Sequence, residues 1–537
     1  MKNIFRISLY TLFLYTLLIS CTNEKLATTL IPEDAFLVMS YDVESLAKKG
    51  NLEKVAEFSS FKSLESEIKS ENRQFYNILD DLQEDPLSAG IDLRDPIFMF
   101  MVSDGNNNPF MGLTMHLWDE NDFSKFAKDI LDMSKITNYS EKNENGFTIY
   151  SIKNRMNIAF NGDKALILFK EGYGGKNTLN ALTNELLTLE ENDNIFENDA
   201  FEDYMDNQED INLYLSTDFI SEMPQYKREM QNLPYDLSGN TLMAHLNFDD
   251  DKVNLKVNMD YNEDMEKMYD KILAGNHKVT NELLNYLPAD NIAAGSFTIN
   301  LEGYLNLIKD GMANDQRAMR NVQKVIDEMD LENLLAKFEG NAAMTLISVD
   351  EKEVEVNNRY SSRSYKRKQT IPEFSMVMGI NDKNYMENLL RSKMGEKLED
   401  YKGIMKMEIE NYQIFLSMNN TSSLLTTNES HALSHKAGKA IENSLSDSKL
   451  APNMKDYPFY ASMDMNSDRL PEAATRGMGN RVSNTLNRWN NTMDRMEYKV
   501  TDKNKMEMTL YMKNDDDNSL FQIIELAENS YRDLNNR

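Results

Sequence analysis

Cys21 is the only cysteine in 537 residues, and it stands where a thiolate could be put to use. Lys2 and Arg6 flank the start of an uncharged run from Ile7 to Ile19, and Leu18-Ile19-Ser20 leads directly into the thiol. The thiolate is a strong nucleophile, so chemistry at this position points to covalent modification. A single cysteine excludes an internal disulfide, a Cys-based zinc site and a dithiol redox pair. Histidine offers less. His431 and His435 are spaced to share a helix face, as zinc ligands would be. Ala432, however, replaces the Glu that a metallopeptidase helix needs after its first His. His116, His245 and His277 are isolated and read as structural. The acidic runs Asp249-Asp250-Asp251, Glu190-Glu191-Asn192-Asp193 and Asp515-Asp516-Asp517 lack the alternation and central glycine of a calcium loop, and read as turns or caps. Gly172-Tyr173-Gly174-Gly175-Lys176 comes nearest to a phosphate-cradling loop, but Asn177 follows where Ser or Thr is required. No catalytic residue, metal ligand or cofactor site is assigned.

Charge singles out one further stretch. The chain carries 58 Lys and Arg against 88 Asp and Glu, a net −30 that repels polyanions and excludes unassisted nucleic-acid binding. Against that background, Arg359, Tyr360, Arg363, Tyr365, Lys366, Arg367 and Lys368 gather five cations and two tyrosines within ten residues. They lie in a connection from Asp350 to Thr370, longer than structure alone requires. The segment is expected to project as a mobile hairpin tip, either simply solvated or offering a Tyr/Arg surface to an acidic envelope protein, an anionic lipid headgroup or a glycan.

Leu18-Ile19-Ser20-Cys21 resembles the lipobox of bacterial lipoproteins. The resemblance implies diacylglycerol on Cys21, cleavage before it and N-acylation of the new terminus. Residues 1–20 are then a signal peptide and 21–29 a tether. The 13-residue run is too short to span a bilayer as a relaxed helix, whereas two or three acyl chains hold a protein there stably. Thr22 follows the cysteine in place of an inner-membrane retention Asp, which favours the outer membrane and leaves both of its faces open.

Two stretches of like grammar position everything downstream. Ile31-Pro32-Glu33-Asp34 feeds a strand near residue 36, and Leu287-Pro288-Ala289-Asp290 feeds another near 292, an offset of 256. Pro109–Leu117 matches Pro372–Ile380 at 263, Asp210–Asp218 matches Asp456–Asp464 at 246, and the alternation at Val253 matches that at Met506 at 253. Four matches in order indicate a tandem duplication, 30–273 and 286–533, joined by a linker at 274–285. Period-two runs joined by short turns, with amphipathic stretches between them, predict an α+β fold. The expected unit is an antiparallel sheet with helices packed mainly on one face.

The opening Ile31-Pro32-Glu33-Asp34, with Ala89-Gly90-Ile91-Asp92 and Asp95-Pro96 before a strand, resembles uncharacterised envelope lipoproteins of Bacteroidetes-type bacteria grouped under a domain of unknown function. The resemblance implies location and fold and carries over no site residue. The expected role is a non-enzymatic binding or interaction scaffold. A tethered hydrolase with a scattered active site, or a structural subunit of an envelope assembly, are the alternatives. Ligand and oligomeric state are not specified by the sequence.

Overall fold

Alternation of apolar and polar residues sets the strands, and the pairings follow from them. The computed structural model describes residues 25–103, 109–153, 155–170, 178–219, 235–273, 278–312, 316–357, 364–409, 412–466, 469 and 487–535. Two units result: Met1–Gln231 with Leu237–Asn262 and Asn514–Arg537, and Asn232–Asp236 with Glu263–Lys513.

In unit 1 the strands are β1 (Leu37–Tyr41), β2 (Ile97–Ser103), β3 (Pro109–His116), β4 (Tyr139–Glu144), β5 (Phe147–Ile152), β6 (Met156–Phe160), β7 (Lys164–Lys170), β8 (Ile211–Ser216), β9 (Thr241–Phe248) and β10 (Lys252–Asp260). They pair antiparallel in the order β4-β5-β6-β7-β3-β2-β1-β8-β9-β10. Unit 2 contributes β11 (Ala293–Thr298), β12 (Phe338–Asn357), β13 (Ser364–Ile380), β14 (Leu398–Tyr401), β15 (Ile404–Ile409), β16 (Tyr412–Met418), β17 (Ser422–Thr426), β18 (Phe459–Asp464), β19 (Met493–Asp502) and β20 (Lys505–Met512). Their order is β14-β15-β16-β17-β13-β12-β11-β18-β19-β20, again antiparallel throughout. The α+β class with antiparallel sheets is therefore observed.

Helices cover both faces of each sheet, which corrects the expectation of one covered face. On one face of unit 1, Val38, Phe100, Phe110 and Leu168 pack against Leu182, Leu186, Phe201 and Tyr204 of the helices Thr178–Leu187 and Asp199–Asp206. On the other, Met115, Ile158, Phe160 and Ala165 meet Phe123, Ala127 and Leu131 of Glu120–Met133. The physical reason lies in strands β5 to β7, where apolar residues run consecutively (Ile149-Tyr150, Ile158-Ala159-Phe160), so both faces need cover. Unit 2 repeats the plan. Val377, Leu424 and Tyr460 pack on one face with Leu284 and Met454, and Ile380, Met405 and Met418 pack on the other with Met386.

Unit 1 is closed by a helix from the end of the chain, and unit 2 by the helix that opens its main segment. Ser519–Asn535 lies against Val43–Lys49, Ser59–Glu71 and β10 in unit 1. Glu263–Leu273 lies against Leu301–Gly311 in unit 2, where a Cβ on Gly303 would come 2.0 Å from the Lys271 carbonyl oxygen. Only glycine permits that approach.

Candidate functional site

The long connection of unit 2 is largely strand. Asp350 to Asn357 pairs with Ser364 to Ile371 residue by residue, extending β12 and β13 into a two-stranded ribbon. Loop structure was expected here because its charges hide any apolar alternation. Arg359, Tyr360 and Arg363 lie outside the described residues. Tyr365, Lys366, Arg367 and Lys368 lie on β13, in register with Val356, Glu355, Val354 and Glu353. From 350 to 371 the sequence holds six cations and four carboxylates.

Cys21, His277 and Gly172–Lys176 also lie outside the described residues. Asp249-Asp250-Asp251 makes the β9–β10 turn, where the Asp249 amide donates to the Lys252 carbonyl at 2.9 Å.

His431 and His435 share the helix Glu429–Lys436, capped by Asn428, but they serve different partners. His435 is fully buried. Its Nδ1 lies 2.8 Å from Ser417 Oγ and its Nε2 3.0 Å from Ser422 Oγ, with the Tyr286 ring edge-on at 4.5 Å. Burial, helped by nearby Lys436, pushes its pKa down to about 4. His431 Nδ1 lies 3.3 Å from Ser375 Oγ, and burial lowers its pKa too. These are neutral imidazoles pinning a helix to β16, β17 and β13.

A cluster that the sequence reading left unassigned forms at the end of β3. Gly90 makes the turn that builds it, with φ +70 and no room for a Cβ, which would lie 2.3 Å from both the Asp119 carbonyl and the Phe123 amide. The turn accepts from the Trp118 amide at 2.8 Å, and the Asp92 amide donates to the His116 carbonyl at 2.9 Å. Asp92, Asp95 and His116 are thereby brought together. Arg94 grips Asp92 with Nε to Oδ1 at 2.7 Å and Nη2 to Oδ2 at 2.6 Å. Burial alone would raise the Asp92 pKa, but the Arg94 hydrogen bonds and charge outweigh it and hold the carboxyl below its usual range. The same guanidinium lies 4.5 Å from the ring of Trp118, which is 52% exposed. Asp92 and His116 are 24 positions apart, so no local spacing marks them. The signal was the pairing itself: Gly-Ile-Asp before one strand, and a His closing the next.

Residues 27–520 match the family model described as a domain of unknown function, DUF4836. No curated protein matches. Two crystal structures of TP0453, forms I and III, share 11% identity with the chain, with TM-scores of 0.22 and 0.23. They cover 47% and 48% of this chain and 87% and 90% of their own.

Proposed function

The chain belongs to the DUF4836 family, and from that premise we propose that it is a lipid-anchored protein of the bacterial cell envelope, a non-enzymatic scaffold that binds an acidic envelope protein or glycan. The observation that carries the reading is Leu18-Ile19-Ser20-Cys21, the sole cysteine placed at the end of a 13-residue uncharged run behind two cations. Thioether lipids at Cys21 would hold it on the outer membrane through two or more acyl chains. No described helix is long and apolar enough to cross a membrane.

The scaffold is a tandem duplication, of 30–273 and 286–533. The identical ten-strand order of the two units supports this. So do the bridges Pro32–Asn194 and Pro288–Ser444, which tie each opening proline to the same kind of one-turn helix downstream. The ribbon of β12 and β13 is the part that the first copy lacks, and it is assigned the partner.

Two experiments test the reading. Cys21→Ser should abolish incorporation of radiolabelled palmitate and release the protein from membranes. Continued membrane association at unchanged mass would sink the anchor. Deleting Asn357 to Lys368 should leave thermal unfolding nearly unchanged while weakening capture of an acidic partner, on the order of tenfold at low salt and less at high salt. Equal capture by both proteins would remove the ribbon from the binding surface.

A further inference from the structure

We propose that Asp92, Asp95 and His116 bind one divalent transition-metal ion, with zinc the best fit, independently of any anchor at Cys21. A carboxylate oxygen from each Asp and an imidazole nitrogen all lie within 4.8 Å of one another. Zinc holds such atoms at about 2.0–2.2 Å, which sets neighbouring ligand atoms roughly 3–3.6 Å apart. Small side-chain rotations reach that spacing. Both carboxylates are already removed from water, with Asp92 6% and Asp95 4% exposed.

A second, independent observation comes from His116. Its Nδ1 is sealed from solvent and lies 2.6 Å from Asp95 Oδ2, yet it makes no well-angled hydrogen bond among the described residues. The nitrogen and the carboxylate oxygen face each other at close range without a well-angled hydrogen bond between them, and a cation accepted by both would bridge that contact. Arg94 does not displace such an ion. Its amide and Nε both donate to Asp92 Oδ1, while Nη2 takes one lone pair of Oδ2 and leaves that oxygen another for the ion. An outer partner of this kind fixes the orientation of a ligating carboxylate. The backbone bond from Asp92 to the His116 carbonyl ties the two ligand-bearing segments together.

Donor chemistry sets the class of ion. One imidazole with two carboxylates suits zinc, or manganese less tightly, while calcium and magnesium prefer all-oxygen sets. Three protein ligands leave a fourth position for water or a partner's group. Among the described residues only unit 1 brings such a set together. In the matching register of Pro109 with Pro372, the place of His116 falls to Gly379, where even a Cβ would lie 2.3 Å from Asn341 Oδ1. One ion per chain follows.

The test uses the purified full chain, stripped with chelator and dialysed against ZnCl2, MnCl2 or CaCl2, with metal content measured directly. One zinc per chain at micromolar free zinc is expected, with thermal unfolding shifted upward. Asp95→Asn and His116→Gln should each weaken zinc at least ~10-fold, while His431→Gln should not. No zinc uptake by the unaltered protein, or equal uptake by the Asp95→Asn/His116→Gln double variant, overturns the proposal. A readout free of variants is the ring 15N spectrum of the unaltered protein. Zinc should move the resonances of one imidazole among the five histidines, and five unmoved imidazoles would overturn the site.

Discussion

Truncation before residue 519 should unfold unit 1 and leave unit 2 standing, although it removes only the last helix. Phe521 and Leu526 of that helix are 4% and 6% exposed, and each buried side chain of this size contributes about 2 kcal/mol. The larger reason is Glu528. The helix Ser59–Glu71 begins at Phe58, which offers no capping side chain. Glu528 supplies the cap instead, accepting from the Ser59 amide at 2.8 Å, Ser59 Oγ at 2.6 Å and the Ser60 amide at 3.1 Å. Arg532 Nε donates to the same carboxylate at 2.6 Å. Losing the helix strands those amides and uncovers the apolar surface beneath, a cost on the order of 5 kcal/mol or more, comparable with the stability of a whole domain. Proteolysis of the truncated chain should cut unit 1 and spare unit 2; equal resistance of both would refute the closing role.

Glu528→Gln isolates the charge. Burial alone would raise its pKa, but the hydrogen bonds from Ser59 and Ser60 carry it down to about 2. A carboxylate whose folded pKa is lowered stabilises the fold above its unfolded pKa, and that stability is lost as pH falls towards the folded value. The variant should therefore lose about 2–3 kcal/mol at neutral pH and far less near pH 2.

Acid should loosen unit 2 well before carboxylates titrate, and His435 is the cause. Its folded pKa of about 4 lies below the ordinary imidazole value of 6.5. Between those values the unfolded chain binds the proton and the folded chain refuses it. Stability is complete above about pH 6.5 and falls as pH drops to 4, by up to about 3 kcal/mol from this residue. His431, also lowered by burial, acts in the same direction on unit 2, and His245 does so on unit 1. Denaturant unfolding from pH 7.5 to 4.5 should show the slope, and His435→Gln should flatten much of it. An unchanged slope in that variant would exclude His435 as its source.

The matched strand orders of the two units show what sequence can and cannot convey. Counting outwards from β1 and β11, Pro109 falls on Pro372, at the offset of 263 read from the sequence. The other two matches slip. Ladder partners set Ser216, not Asp218, against Asp464, and Leu255, not Val253, against Met506. Both slips are two residues. Side chains alternate with a period of two, so such a slip leaves every residue on its proper face and alters no pattern that could be read. The ribbon escapes a reading of the sequence for a related reason: its strands are rich in charged residues and lack the apolar alternation that announces a strand. Asp92, Asp95 and His116 went unassigned because a β-pairing, and no short motif, assembles them. The covering of unit 1 by Ser519–Asn535 leaves no local mark at all, because an amphipathic helix reads the same whichever strands it covers.

That placement also sets an order of completion. The strands of unit 1 end with β10, but the helix that caps Ser59 and covers its surface lies roughly 260 residues further along the chain. Along the chain, unit 2 is complete at Lys513, and unit 1 only with the segment that follows it. A chain interrupted anywhere before residue 519 is expected to keep an open, protease-sensitive first unit, so the last residues of the sequence decide whether the first ones stay folded.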